Sequence, residues 1–149
     1  MKGFSLIEIV VAVAILGVLT SIVINTFHTA QLKKEQSGVT QSLVAHLEKQ
    51  KADTQAGKGG AIYGVKLNAD SYVLYKGTYS SNSVTNQNVT INNKFSLSET
   101  FTNTNNVIYF SKLYGKANEN ATITISHIQN QISPQLIVIE QSGTISVIE

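Results

Sequence analysis

The feature that most constrains this chain is a long uncharged segment close to its N-terminus. From Ile9 to Leu32 no residue carries a formal charge, and the positions up to Phe27 are mostly Ile, Val, Leu and Ala. A helix over 9–27 would be about 28 Å long, close to the ~30 Å hydrocarbon core of a bilayer. The length and hydropathy of the segment therefore predict a membrane-spanning helix.

Two other interpretations of this segment fit less well. A secretory signal peptide has an apolar core of ~7 to 15 residues, followed by small residues at its cleavage site. The apolar run here is longer, and His28 stands where a small residue would be needed. A buried core helix does not fit either, because the rest of a chain of 149 residues could not surround so long an apolar cylinder.

Glu8 places a carboxylate at the start of the apolar segment. An ionised carboxylate at the centre of a bilayer costs about 2.5–3.5 kcal/mol on insertion scales, so such residues usually have a partner. Glu8 could instead lie at the headgroup level, where it would complement the positive end of the helix dipole. The residues alone leave both interpretations open.

The stretch GFSLIE, residues 3–8, is followed by the apolar run and resembles the N-terminal signature of type IV prepilins and type II secretion pseudopilins. The resemblance extends to about Ile24. In that family a prepilin peptidase cuts after the glycine and methylates the new N-terminal residue. The resemblance therefore implies cleavage between Gly3 and Phe4 and N-methylation of Phe4. It also implies that Glu8 pairs with the N-terminal amine of a neighbouring subunit during filament assembly.

The same resemblance implies a location and partners. The precursor would be a single-pass protein of the bacterial inner membrane, held in the lipid bilayer with its C-terminal domain outside the cytoplasm. An inner-membrane assembly platform would then transfer it to an extracellular or periplasmic filament, next to other pilin or pseudopilin subunits.

An amphipathic pattern after Phe27 continues the helix. Apolar residues recur at intervals of seven, four and four, which places them on one helical face: Leu32, Val39, Leu43 and Leu47. We therefore expect one helix from about Phe4 to about Gln55, ended by the glycines at 57, 59 and 60. The predicted segments are a leader at 1–3, a transmembrane and filament-core helix at 4–27, an amphipathic helix at 28–56, and a β-rich globular domain at 57–149.

Beyond Gly60 the hydrophobic period changes to two. Short segments rich in β-branched and aromatic residues, separated by polar turns, predict antiparallel strands. They lie at 61–67, 71–77, 88–97, 106–110, 121–127, 135–140 and 144–149. Turns at 68–71 and 142–143 predict two hairpins. The expected fold is α+β, with a long N-terminal helix packed on an antiparallel β-sandwich-like domain.

The globular part carries a second resemblance. The segments YGVKLNADSYVLYKG, VIYFSKLYGKANENATITIS and LIVIEQSGTISV are similar to the H-type (GspH/FimT-like) minor pseudopilins, over about Ala61 to Val147. This resemblance concerns the fold more than the role. Some members of that group bind DNA through a basic C-terminal segment, whereas this chain ends in TISVIE.

The composition narrows the function classes further. The net charge of +2 comes from 11 lysines and 9 acids without charge blocks, and arginine is absent, so we do not expect nucleic acid as a partner. There is no cysteine, no nucleophile motif and no metal-ligand spacing, so we expect no enzyme activity, no metal and no cofactor. The sequence predicts a structural filament subunit. The alternative is a minor pilin that acts as a binding module for DNA or a secreted substrate.

Overall fold

One long helix comes first in the structure and the strands follow it. The computed structural model describes residues 5–102 and 106–148, without the side chains of residues 21–25. Helix α1 covers Leu6–Gln55, and a 3-10 turn covers Lys58–Gly60. The strands are β1 Tyr63–Leu67, β2 Ser71–Lys76, β3 Gln87–Thr90, β4 Phe95–Phe101, β5 Val107–Tyr109, β6 Ala121–His127, β7 Gln135–Ile139 and β8 Ile145–Ile148. The predicted α+β class is confirmed.

The strands form two antiparallel sheets. Sheet I has the order β3-β2-β1-β5, and sheet II has the order β4-β6-β7-β8. Both predicted hairpins are present: the Asn68 N–H donates to the Ser71 carbonyl at 2.9 Å, and the Glu140 N–H donates to the Thr144 carbonyl at 3.0 Å. The two turn predictions are therefore confirmed.

The prediction of a single strand over 88–97 is wrong. The chain leaves sheet I after β3 and enters sheet II at β4, with a turn at residues 91–94 between them. In this turn the Asn92 side-chain oxygen accepts the Lys94 N–H at 3.1 Å, and the Lys94 ammonium lies 2.9 Å from the Glu35 carboxylate on α1. An Asn side chain that bonds the backbone two residues on favours a turn over a strand.

The chain divides into two compact units, Met1–Lys34 and Glu35–Glu149. The core of the second unit comes from α1 and from the inward faces of both sheets. Its fully or almost fully buried members include Leu43, Leu47, Val65, Leu67, Tyr72, Phe95, Ile108, Phe110, Ile123, Ile125, Ile137 and Ile139. The domain limits at residues 3, 27 and 56 stay predictions.

The buried face of α1 in the second unit is more polar than the apolar pattern predicts. Its buried positions recur at intervals of four, three, four, three and four residues: Gln36, Thr40, Leu43, Leu47, Gln50 and Thr54. Leu43 and Leu47 are confirmed, whereas Val39 is only half-buried and the buried position beside it is Thr40. Hydrophobicity alone therefore gives an incomplete description of this face.

Hydrogen bonds explain why polar side chains occupy the buried face. The Gln36 amide donates to the carbonyl oxygens of Ile125 at 2.9 Å and Ser133 at 3.1 Å. The Thr54 hydroxyl accepts the Tyr63 N–H at 2.9 Å, at the first residue of β1. These contacts give the buried polar side chains hydrogen-bond partners on the backbone of β6, of the loop that follows it and of β1.

The helix ends where the sequence predicts. Gly57 follows the last turn in the left-handed conformation, with φ of 62°, and its N–H donates to the Thr54 carbonyl at 3.0 Å. Glycine takes up this conformation without the steric cost that a side chain would add.

Candidate functional site

Of the predicted functional residues, the structure describes Glu8, which lies near the start of α1. Gly3 and Phe4, the predicted cleavage and methylation positions, lie outside the described residues. Glu8 is exposed in the first helical turn, and its carboxylate oxygen lies 3.5 Å from the backbone nitrogen of Ser5. The Ser5 carbonyl accepts hydrogen bonds from the N–H groups of Glu8 at 3.0 Å and Ile9 at 3.3 Å. Glu8 therefore lies beside the positive end of the helix dipole.

This arrangement has a sequence signal of its own. Ser5 and Glu8 are three positions apart and match the S-x-x-E capping box, in which a glutamate reaches back to the backbone N–H of the capping residue. The hydropathy pattern does not reveal the box, because it treats both residues only as polar exceptions to an apolar run. In the single chain, Glu8 thus has a local role at the helix start.

The first turns of α1 expose an unusual amount of apolar surface. Exposed fractions run from 49% at Val11 to 82% at Leu6. The other large apolar residues of this surface are Ile7, Ile9, Val10, Val13, Ile15, Leu16, Val18 and Leu19. Within the described part of the chain, no helix is both long and apolar enough to cross a membrane. A contiguous apolar surface of this kind marks a site of protein or membrane contact.

The histidines of the second unit have structural partners. The His46 Nδ1 lies 2.8 Å from the Tyr72 hydroxyl, which joins α1 to β2. His127 is buried at the end of β6, where its ring packs edge-on against Phe95 at 5.7 Å and its Nδ1 accepts the Gln129 N–H at 3.2 Å. These contacts are those of packing residues.

The carboxylate of Glu119 has a hydrogen-bond partner within the same unit. Glu119, the carboxylate of the segment KANENAT, is buried and accepts a hydrogen bond from the Asn118 amide at 3.1 Å. Residues 5–102 and 106–148 contain no group of three or more potential metal-binding side chains.

A groove of about 880 Å³ lies on sheet I, lined in part by Lys66, Tyr75, Tyr79 and Tyr109. Gly64 of β1 lies under Tyr75, whose hydroxyl occupies the space that a Cβ at position 64 would need. Burial, and to a lesser extent the nearby Tyr109, raise the pKa of Tyr75 well above the usual range of a tyrosine. The Tyr75 phenol is therefore a neutral packing group that covers the glycine.

The comparisons with known proteins agree with these features. Residues 1–24 match the family model described as a prokaryotic N-terminal methylation motif. The structure is similar to the minor pseudopilin EpsH from the type 2 secretion system of Vibrio cholerae, with a TM-score of 0.57, 14% identity, and coverage of 76% of this chain and 96% of that chain. It is also similar to the type IV minor pilin FimU of Pseudomonas aeruginosa, with a TM-score of 0.58, 15% identity, and coverage of 76% and 92%. No curated protein matches the sequence.

These comparisons cover different parts of the molecule. The motif concerns the first 24 residues, whereas the structural likeness, at such low identity, shows the fold alone. Together they confirm the resemblance to prepilins and H-type minor pseudopilins that the sequence predicts.

Proposed function

We propose that this chain, which carries the methylation motif of prokaryotic prepilins and has the fold of minor pilins and pseudopilins, is a structural subunit of a type IV pilus or a type II secretion pseudopilus. It assembles into a filament and is not an enzyme. The observation that carries the proposal is the motif at residues 1–24, at the head of a helix that exposes its apolar side chains. A filament core would cover this surface.

The finer steps of the proposal concern the N-terminus. A prepilin peptidase would cut between Gly3 and Phe4, and the amine of Phe4 would then be methylated. Support comes from the GFSLIE stretch and from the motif that includes it. The processed chain would begin with a cationic amine next to an apolar helix.

Glu8 would pair with the N-terminal amine of a neighbouring subunit. Opposite charges attract strongly where water is excluded, whereas either charge buried alone is costly. The exposed position of Glu8 in the first turn of α1 leaves its carboxylate accessible to such a partner. The pair would therefore favour the correct axial position of each new subunit.

Before assembly, residues 4–27 would hold the precursor in the inner membrane as a single-pass protein, with residues 57–149 outside the cytoplasm. This part of the proposal rests on the sequence, because the run from Ile9 to Leu32 carries no formal charge. An assembly platform in the same membrane would then move the subunit into the filament.

The intact mass of the membrane-extracted protein tests the processing route. We expect the loss of residues 1–3 and the gain of one methyl group. An unprocessed chain, or a cut beyond residue 20, would contradict the proposal. The variant Gly3→Leu should stay uncut because the peptidase site no longer has glycine, while the neighbouring variant Ser5→Ala, matched as a control, should be cut.

The role of a binding module for DNA or a secreted substrate is not favoured. Strand β8 contains no basic residue, and the sequence contains no arginine. Arginine is the residue best suited to bidentate contacts with phosphates and bases.

A further inference from the structure

The chain between β5 and β6 forms a small hairpin whose tip carries two exposed residues. Phe110 and Ala117 pair at its base, and both are buried. At the tip, Leu113 is 80% exposed and Tyr114 is 75% exposed. We name these two tip residues the knuckle.

Leu113 has an unfavourable backbone conformation. Its φ of 68° lies in the left-handed region, where a bulky residue is a genuine outlier. The hairpin maintains this conformation through hydrogen bonds: the Gly115 N–H donates to the Ser111 carbonyl at 3.0 Å, and the Lys116 N–H donates to the Ser111 hydroxyl at 3.0 Å. Strained residues of this kind cluster at binding sites. Leucine does not help the turn to form, and its side chain lies in solvent.

The base of the hairpin is tightly packed. A Cβ added to Gly115 would lie 2.7 Å from the side-chain amide of Gln55 on α1, and one added to Gly143 would collide with the Gly115 carbonyl. The Lys112 ammonium donates to the Gly60 carbonyl at 2.7 Å. The knuckle is therefore presented by a rigid base, which lowers the entropy cost of binding.

Lysines flank the knuckle in sequence and lie at the base of its hairpin. Lys112 and Lys116 flank it in sequence, and the Lys76 ammonium lies near Gly59, one residue before the Gly60 that Lys112 contacts. None of the ion pairs among the described residues includes any of these three lysines. The fold thus brings Lys76 to the same 3-10 turn as Lys112, which is distant from it in the sequence.

We propose that the knuckle anchors this chain to another protein subunit of the same filament system, in an apolar pocket rimmed by carboxylates. The proposal rests on the proposed function. Tyr114 fits the description of an interface anchor, since buried aromatic residues dominate binding energy. The lysines around it complement an acidic rim and orient the approach of the two proteins.

The chemistry of the knuckle favours a protein over a nucleic acid. Leu113 offers neither a stacking plane nor a hydrogen bond to a base, so half of the knuckle has no role in base recognition. The chain also lacks arginine. A phosphate backbone needs several free cations along its length, whereas an apolar pocket needs the two side chains that the knuckle provides.

Photo-crosslinking in native host cells tests the knuckle. Benzoylphenylalanine replaces Tyr114 in the chain, and in a control chain it replaces Val84, which is fully exposed on another loop. Mass spectrometry of the digested products should map position 114 to one apolar, acid-rich surface of a filament subunit, with about tenfold less product from position 84. The proposal is overturned if position 114 gives no product, the same product as position 84, a nucleic-acid product, or a protein outside the filament system.

Substitution provides a second measurement. In the double variant Leu113→Asn with Tyr114→Ser, asparagine tolerates the left-handed conformation, so the hairpin should still fold. We expect its content in sheared filaments to fall by about tenfold or more relative to Val84→Ser. Equal content of the two variants would contradict the proposal. The filament content of the wild-type chain tests the proposed function itself, so the two proposals can fail separately.

Discussion

The first part of α1 exposes apolar side chains, whereas the later part buries polar ones. Between Leu6 and Leu19, the large apolar residues are about half exposed or more. Between Gln36 and Thr54, four of the six buried positions are Gln or Thr. The comparison shows that side chains of this helix are buried where the rest of the chain offers them a contact partner, whatever their hydropathy. The later part bonds to backbone groups of the two sheets, while the first part leaves its apolar side chains exposed in the single chain.

The largest expected effect is a difference in the free energy of unfolding between variants of the two parts of α1. Leu47 is fully buried, so Leu47→Ala should lower the free energy of unfolding by about 2–5 kcal/mol, through lost burial and the cavity left behind. Leu16 is 62% exposed, so Leu16→Ala should leave that free energy within about 0.5 kcal/mol of wild type. Urea unfolding in detergent, followed by the near-ultraviolet signal of the tyrosines, measures both. A loss of stability in Leu16→Ala as large as that in Leu47→Ala would contradict this difference between the two parts of α1.

A smaller effect tests the polar contacts of the later part. Gln36→Ala leaves the carbonyls of Ile125 and Ser133 without their amide donor, which should cost about 1–3 kcal/mol. The exposed Gln41 serves as a matched control on the same helix, and Gln41→Ala should change stability by less than about 0.5 kcal/mol. Equal losses for the two variants in the same urea assay would show that the buried amide contributes nothing specific.

The sequence predicts the apolar half of these contacts and misses the polar half. Leu43 and Leu47 stand out because their spacing matches the helical period. Gln36 and Thr54 follow the same period, but their partners are the backbone of β6 and β1, far away in the sequence. Nothing local distinguishes a buried glutamine of this kind from an exposed one, so its position becomes visible only in the fold.

The two candidate sites, Glu8 and the knuckle, also differ in how far the sequence predicts them. Glu8 can be predicted because it belongs to a short local motif, and its capping contact with Ser5 is also local. The knuckle could not be predicted, because its features depend on distant parts of the chain: Gly115 packs on Gln55, and Gly143 packs on Gly115. The left-handed conformation of Leu113 likewise has no sequence signal, since leucine is a poor residue for it.

The pH dependence of the stability tests a third contact of the later part of α1. The Tyr72 hydroxyl contacts Ser42 and His46 of the later part of α1, and burial raises the pKa of Tyr72, which the Ser42 hydrogen bond lowers only partly. Folding therefore favours the neutral phenol. Its contribution to stability is complete below the unfolded-state pKa of about 10 and is lost as the pH rises above that value.

The measurement is urea unfolding across alkaline pH. Stability should decline above about pH 10, and the decline should be shallower in Tyr72→Phe, which has no phenol to ionise. The variant Tyr114→Phe, at an exposed position, is the control. If stability declines as steeply in Tyr72→Phe as in Tyr114→Phe, the ionisation of Tyr72 does not contribute to the loss of stability at alkaline pH.

The smallest effect concerns the start of the first part. Glu8→Ala removes a carboxylate beside the N-terminal amides of α1, a contact worth about 0.3–1 kcal/mol. Amide hydrogen exchange of residues 8–10, measured in detergent, should become about two- to fivefold faster, while the urea midpoint of the second unit stays unchanged. The amide exchange rate of Glu8→Gln, which keeps the shape of the side chain without its charge, should lie between those of wild type and Glu8→Ala. The filament content of Glu8→Ala is then compared with its amide exchange. If the content falls by much more than the two- to fivefold change in exchange rate, Glu8 has a role in assembly that is separate from its role as a cap. A drop of the same few-fold size would instead mean that capping alone explains why a carboxylate stands at this position.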